Sequence, residues 1–324
     1  MELTSICEWS GKMFFKWEGR IDEGLKSKRI HQVIRNVERK RIETASKRTF
    51  ALVGFESDEG VKRNQGRIGA AKAPNKIRKF LANIPYHHTE DNIVDIGNIT
   101  CRDGQLEIAQ TNLAAEITHL LKHHYTPIIL GGGHETFYGH YLGVRNALGK
   151  EPTIGMINLD AHFDIRFANV PTSGTMFHQV LTEDRNSNYL CIGIQKLGNT
   201  EQHFSEAKKL NVTYILEDEI FPIEKTLEVI DTFANRHDYI IYTICTDVIN
   251  QAFAPGVSAP APFGIEPHVV RLLSKHIVTK QNFLSVDVSE VNPDYDVADI
   301  TVRLVSYLIA EMMMHVNEMG NEHD

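Results

Sequence analysis

The chain has 324 residues, of which 42% are hydrophobic and 23% charged, and a formal net charge of −8. That balance excludes a collagen-like or low-complexity protein, argues against a general nucleic-acid binder, and leaves room for one large α/β domain or two average ones. No apolar run approaches the ~20 residues needed to cross a bilayer, so a membrane partner is not expected either. Met1–Trp17 mixes Glu, Lys and Trp through its apolar positions, unlike a signal peptide. Cys7, Cys101, Cys191 and Cys245 are widely spaced, with no CxxC pair. Reduced thiols and a cytoplasmic location are the expectation.

In chain order, residues 1–49 are the least sheet-like part. Between Leu25 and Arg48 nine Lys and Arg stand against two Glu. In an otherwise acidic chain this reads as a solvated helix and linker before a nucleic-acid patch. Phe50–Phe55 predicts the first strand. Asp58–Ala73 is polar and contains glycines, as a loop would, and Ala73-Pro74-Asn75 opens a helix through Leu81. Ile93–Gly97 is a short strand, and Gln105–His124 has the helical rhythm of Leu106, Leu113, Ile117, Leu120 and Leu121. Pro127–Leu130 is a strand closed by Gly131-Gly132-Gly133-His134-Glu135. Glycine permits tight turns and close backbone approach, which would deliver His134 at a strand end. Thr136–Leu148 reads as helix.

Thr153–Leu159 predicts a buried strand that runs into Asp160-Ala161-His162-Phe163-Asp164. Alternate residues of an extended chain share a face, so a strand extension would point both acids and the imidazole into one cleft. A lone Asp-x-His-x-Asp is more often turn or cap chemistry. Ile165–Thr175 is a loop ending in Thr172-Ser173-Gly174. Tyr189–Ile194 and Val212–Leu216 are strands and Thr226–Ala234 a helix. Tyr239–Ile244 is a strand closed by Cys245-Thr246-Asp247. Three strand ends then carry candidate ligands, at the place where open α/β sheets bind them. Carboxylates with an imidazole or two suit Mn²⁺ among divalent ions.

Ala254–Pro267, with four prolines and two glycines, is too irregular for helix or central strand. Phe283–Val288 is the last strand, followed by Glu290, which taken alone reads as a cap or surface acid. Asp299–Val316 is a closing helix striped by Val302, Val305, Leu308, Ile309, Met312 and Met313, for core or subunit packing. His87-His88 and His123-His124 have no partners at ligand spacing and read as surface residues. The recurring strand–helix alternation predicts a three-layer α/β/α fold with a mainly parallel central sheet.

The runs Gly131–Glu135, Asp160–Asp164 and Asp247 with Ala254-Pro255-Gly256 resemble those of the ureohydrolase (arginase, agmatinase, formimidoylglutamase) superfamily. Trp17–Arg20, Asn64–Ala70 and Ala254–Pro260 are similar to its formimidoylglutamase branch. The resemblance extends from about Trp17 to the last helix. It implies an arginase-like single domain over residues 50–324, residues 1–49 as an N-terminal extension packed on the core, and a homo-oligomer of trimer type. The implied activity is hydrolysis of N-formimidoyl-L-glutamate to L-glutamate and formamide, in histidine degradation. Another ureohydrolase acting on a guanidino acid or amine, or a catalytically silent binding homologue, are the alternatives.

By the same resemblance, two manganese ions would be held, one by His134, Asp160, Asp164 and Cys245, the other by Asp160, His162, Cys245 and Asp247. Asp160 and Cys245 would bridge them. The ions would lower the pKa of water from about 15.7 towards about 7, and a metal-bound hydroxide would attack the formimidoyl carbon. Asp160 and Glu290 are the catalytic candidates, Glu290 pairing with the substrate's amidinium. Arg166 stands where arginases carry an asparagine facing the substrate's α-carboxylate, and a guanidinium there can take a carboxylate bidentately. Asn64, Arg67 and Ser173 are further candidates for substrate contact. Phe177 replaces a histidine thought to shuttle protons in arginases, and His178 is offset by one residue. Cys245 departs from the family's Asp-x-Asp; a thiolate suits Mn²⁺ less well than a carboxylate, so one ion is expected to be held weakly.

Overall fold

The apolar run Ile154–Leu159 forms a strand in which every residue is buried, and the rest of the sheet is laid out around it. The structure, a computed structural model, describes residues 14–24, 27–87 and 92–318. In chain order the elements are α1 (Ile30–Val33), β1 (Arg35–Asn36), β2 (Thr49–Glu56), α2 (Glu59–Arg63), α3 (Ala73–Leu81), β3 (Ile93–Thr100), α4 (Leu106–Lys122), β4 (Tyr125–Leu130) and α5 (Thr136–Leu148). Then come β5 (Ile154–Leu159), α6 (Met176–Glu183), β6 (Ser187–Ile194), α7 (Glu201–Lys209), β7 (Thr213–Leu216), α8 (Ile223–Ala234), β8 (Tyr239–Cys245), α9 (Pro267–Val278), β9 (Phe283–Ser289) and α10 (Ile300–Glu318).

The strands form one sheet in the order β1-β3-β2-β4-β9-β8-β5-β6-β7, and each neighbouring pair is parallel. Parallel sheets are covered on both faces, which is why these strands read as unbroken apolar runs. Alternation along each strand divides its residues between two cores. Phe50, Leu52, Ile128, Leu130, Tyr242 and Ile244 pack with α3, α8, α9 and α10 through Ile77, Ile230, Leu273 and Ile309. Ala51, Val53, Ile129, Met156 and Ile241 pack on the other face with α4, α5 and α6 through Ile117, Val144 and Val180. The expected three-layer α/β/α architecture is therefore present. Burying one such Leu or Ile side chain is worth about 1.5–3 kcal/mol, so both cores hold the sheet rigid beneath its loops.

Several expectations need correction. Among the described residues the basic segment is α-helical only over Ile30–Val33, with a 3₁₀ turn at Arg39–Arg41, and Ile30, Val33 and Ile34 are drawn into the core. Several of its cations are paired, Arg29 with Asp22 and Arg39 with Glu116. Trp17 donates Nε1–H to Asp95, which also takes two bonds from the buried guanidinium of Arg78. The polar stretch after β2 is a loop only in part, since α2 forms over Glu59–Arg63. Met312 and Met313 lie in the core, and no helix among the described residues is long and apolar enough to cross a membrane. Cys7 and His88 lie outside the described residues. Of the other histidines read as surface residues, His87 and His124 are exposed and His123 is half-buried, its Nδ1 beside the carbonyl of His119.

Candidate metal centre

The four central strands β4, β9, β8 and β5 end side by side, and each contributes to one cluster. After β4, Gly131-Gly132-Gly133 brings the chain so close to its neighbours that no side chain fits. A Cβ at Gly132 would stand 1.8 Å from the Ser57 carbonyl oxygen, and one at Gly131 2.4 Å from Ser289 Oγ. This close packing sets His134 at the mouth of α5, where its Nδ1 lies 3.0 Å from Asp164 Oδ2 and 3.1 Å from Asp160 Oδ2.

Asp160, His162 and Asp164 do converge, but not as alternate residues of a strand. β5 ends at Leu159 and the chain bends. Asp160 Oδ1 accepts the backbone N–H of His162 at 2.8 Å, and Asp164 has a left-handed φ of 49°. An Asp bonding to the backbone two residues on is the local chemistry of a turn. Here it turns acids and imidazole inward instead of replacing the cluster. His162 Nδ1 lies 3.3 Å from Asp247 Oδ2 and 3.6 Å from Asp160 Oδ1.

Two groups of donors result. His134, Asp160 and Cys245 each place a donor atom within 4.8 Å of the others, and so do Asp160, His162 and Asp247, so Asp160 is common to both. Asp164 joins through its contact with His134 and stands outside either trio. Asp247 Oδ1 is buried without a hydrogen-bond partner, and no lysine or arginine enters these contacts. Burial disfavours a charged His134, yet its bonds with Asp160 and Asp164 outweigh that and raise its pKa well above the usual imidazole range. Asp160 also pays burial, but bonds from His134 and His162 hold it well below the usual carboxylate range. Burial, then the charges of Asp160, Asp247 and Glu290, push the Cys245 thiol well up. Such a set of anionic and imidazole donors, one oxygen left bare, fits divalent cations.

Glu290 follows β9 with a left-handed φ of 67°. Its Oε1 accepts the backbone N–H of His134 at 2.8 Å, so it is no helix cap. Burial, with the charges of Glu135 and Asp247, raises its pKa well above the carboxylate range. At the rim, Arg166 donates Nη1–H to Asn64 Oδ1 at 2.9 Å, and Asn64 donates Nδ2–H to Ser173 Oγ at 3.2 Å. These three candidates are brought together. Arg67 instead lays its guanidinium over the Tyr295 ring at 5.1 Å and bonds Ser258 through its backbone. Phe177 is buried, stacked on Tyr189 at 3.9 Å and edge-on to His134. His178 lies 4.0 Å from Glu206.

The sequence reading missed a buried polar layer behind the cluster: Asp287, Thr243 and His140. An acid inside the apolar run Phe283–Val288 was the available signal, because a buried carboxylate needs partners. His140, in mid-helix, gave none.

This parallel sheet with a carboxylate–imidazole–thiol cluster over its central strand ends defines a three-layer α/β protein whose donor cluster fits divalent cations. Residues 48–315 match the model of the Arginase family. The chain belongs to that family. It is 47% identical over 306 residues to a formimidoylglutamase of Geobacillus sp. (strain WCH70), covering 93% of this chain and 94% of the relative. It superposes on crystal structures of formimidoylglutamase from Bacillus subtilis (TM-score 0.81, 23% identity, 92% and 94% of the two chains) and of Trypanosoma cruzi formiminoglutamase with Mn²⁺ (0.75, 22%, 86% and 98%).

Proposed function

We propose that this chain is a manganese-dependent hydrolase of linear amidine C–N bonds, a formimidoylglutamase, which converts N-formimidoyl-L-glutamate and water to L-glutamate and formamide. The observation that carries the reading is the carboxylate of Asp160 shared between two donor groups, in a chain so close to relatives named for this reaction. His134, Asp160, Asp164 and Cys245 would hold one ion and Asp160, His162, Cys245 and Asp247 the other. When bound, such ions supply Lewis acidity and make water available as a nucleophile near neutral pH.

The chain's own side chains do the rest. Glu290, fixed through one oxygen by the His134 N–H, offers the other to the substrate's amidinium and orients its carbon toward the centre. Arg166, steadied by Asn64, which in turn rests on Ser173, receives a substrate carboxylate. Arg67, over Tyr295, supplies a second cation for a substrate with two carboxylates. Phe177 in the core leaves no imidazole at the position arginases use for proton transfer. We further assign residues 1–49 as an extension docked through Trp17, Ile30 and Val33, and the working form as a cytoplasmic homo-oligomer, in keeping with the free thiols of Cys101, Cys191 and Cys245.

The test is to incubate the manganese-loaded protein separately with formimidoylglutamate, arginine, agmatine and guanidinobutyrate. Glutamate and formamide from the first substrate are expected. Urea from one of the others would overturn the reading, and bound manganese without turnover would mark a silent homologue.

A further inference from the structure

Behind the metal centre runs a chain of buried polar groups whose proton directions can be counted. Ser285, Asp287 and Ser289 alternate along β9 and share a face, and Thr243 on β8 stands in register with Asp287. His134 Nε2 lies 3.0 Å from Thr243 Oγ1. Thr243 donates to Asp287 Oδ1 at 2.8 Å, and Ser289 donates to the same oxygen at 3.0 Å. The other carboxylate oxygen faces His140 Nδ1 at 2.8 Å, and His140 Nε2 faces Ser285 Oγ at 2.6 Å. Thr243, Asp287, His140, Ser285 and Ser289 are all at 0% exposure, so water does not relieve any of them.

An ionised carboxylate only accepts, so His140 Nδ1 carries a proton. Thr243 has one hydroxyl proton, and Asp287 takes it. Toward His134, Thr243 can then only accept, so His134 Nε2 carries a proton. Nδ1, which faces Asp160 and Asp164, is then the nitrogen that turns its lone pair to a cation when the cation displaces the proton those carboxylates hold there. We infer that His140 is a positioning residue for the metal centre: it anchors Asp287, which through Thr243 fixes the tautomer and ring orientation of the ligand His134. His140 reaches no substrate atom. The inference rests on the metal-centre reading above.

Asp287→Asn is a sharp probe, because an amide offers one accepting and one donating end where the carboxylate offered two accepting ones. With its oxygen toward His140 Nδ1–H, the tautomer set in the wild type, its NH₂ turns toward Thr243. Thr243 then accepts from the amide and turns its proton on His134 Nε2, forcing a proton onto Nδ1 where the cation should sit. Partners behind a metal ligand are typically worth about 10- to 100-fold in metal affinity. The experiment measures Mn²⁺ binding to metal-free protein by calorimetry, with thermal melts as a folding check. Asp287→Asn and His140→Leu should each weaken binding by at least about tenfold. His140→Asn, whose amide N–H can replace Nδ1–H toward Asp287, should restore most of it. Thr243→Val, nearly isosteric within a strand, should weaken binding without loss of fold, so the question stays answerable if His140→Leu does not fold. Unchanged affinity in Thr243→Val and Asp287→Asn, or an equal loss in His140→Asn and His140→Leu, would overturn the inference. Wild-type protein that binds no Mn²⁺ would instead overturn the metal-centre reading.

Discussion

Arg166 offers the most direct test of substrate recognition, because its role is separable from the metal. It follows the metal cluster by two residues, and its backbone N–H is pinned to the Gly174 carbonyl at 2.9 Å. Its guanidinium is exposed, and of its five donors one is drawn to Asn64 Oδ1, leaving others for a carboxylate. A hydrogen bond to a charged group contributes about 1.5–3 kcal/mol, and exposure draws that toward the lower end. Arg166→Ala should therefore raise KM for formimidoylglutamate by about ten- to hundredfold, at 1.36 kcal/mol per factor of ten. The rim is separate from the donor cluster, so kcat should stay within about threefold. Lysine should rescue poorly, since a point charge lacks the planar fork. Asn64→Ala should cost less, and in an Arg166→Ala background it should add nothing, because its contribution passes through the guanidinium. The assay is glutamate release over a range of substrate concentrations. An unchanged KM in Arg166→Ala would return this residue to the solvated surface and refute the reasoning.

Three other outcomes follow from the same structure. Asp160→Ala should abolish manganese binding and reduce turnover by at least about a hundredfold. The fold should survive, since the change removes a buried charge that crowds Asp164; activity retained at saturating manganese would exclude a shared ligand. Cys245→Asp should tighten manganese by about tenfold, worth ~1.4 kcal/mol, and protect against oxidants that inactivate the wild type. Equal affinities and equal inactivation in calorimetric and oxidant assays would exclude Cys245 as a ligand. Asp184 is held below the usual carboxylate range, burial opposing but bonds from Tyr141, the Asn186 N–H and Arg145 prevailing. A depressed carboxyl stabilises the fold above its unfolded pKa and loses that contribution as pH falls through the folded one. Asp184→Asn should thus destabilise by about 1 kcal/mol at pH 7, with the gap closing below about pH 4. A gap that stays constant in urea melts across that range would contradict the assignment.

The fold was legible because each central strand is covered on both faces and so reads as an apolar run. One edge was not: β1 is two exposed residues, Arg35 and Asn36, with no periodicity to find, whereas the other edge, β7, was legible at Val212–Leu216. Helices α6 and α7 went unread because their buried faces are short, α7 burying Ala207 alone, while α9 buries six residues but begins at the last residue of the proline-rich stretch Ala254–Pro267 read as irregular. In the site, the cluster residues were legible from type and spacing, but their route to convergence was not. Period-two alternation predicted a continued strand, and the Asp160 carboxylate bonding to the His162 N–H overrode it. His140 was invisible for a further reason. Its partners lie on β9, 145 and 147 residues further along the chain, and only the sheet order that inserts β9 beside β4 brings them under α5.

That insertion also explains why Glu290 and His134 keep a fixed relation. The peptide that ends the glycine run serves both: its imidazole turns to Asp160 and Asp164, while its N–H holds Glu290 Oε1. Glu290 reaches it because β9 pairs with β4 through Leu130 and Val288, and because Glu290 N–H bonds back to the Gly132 carbonyl at 2.8 Å. A left-handed residue at Glu290 is strained for a non-glycine, and the reciprocal bonds across the two strand ends hold it there. Ring and carboxylate are thus separated by one short stretch of backbone instead of by two independent loops. With Glu290 holding the amidinium as proposed, the distance between the bond to be cleaved and the nucleophile would be set by sheet geometry. A catalytic geometry that tolerates little displacement would gain from that, while Arg166, the proposed carboxylate contact, sits on an exposed loop apart from these strand ends.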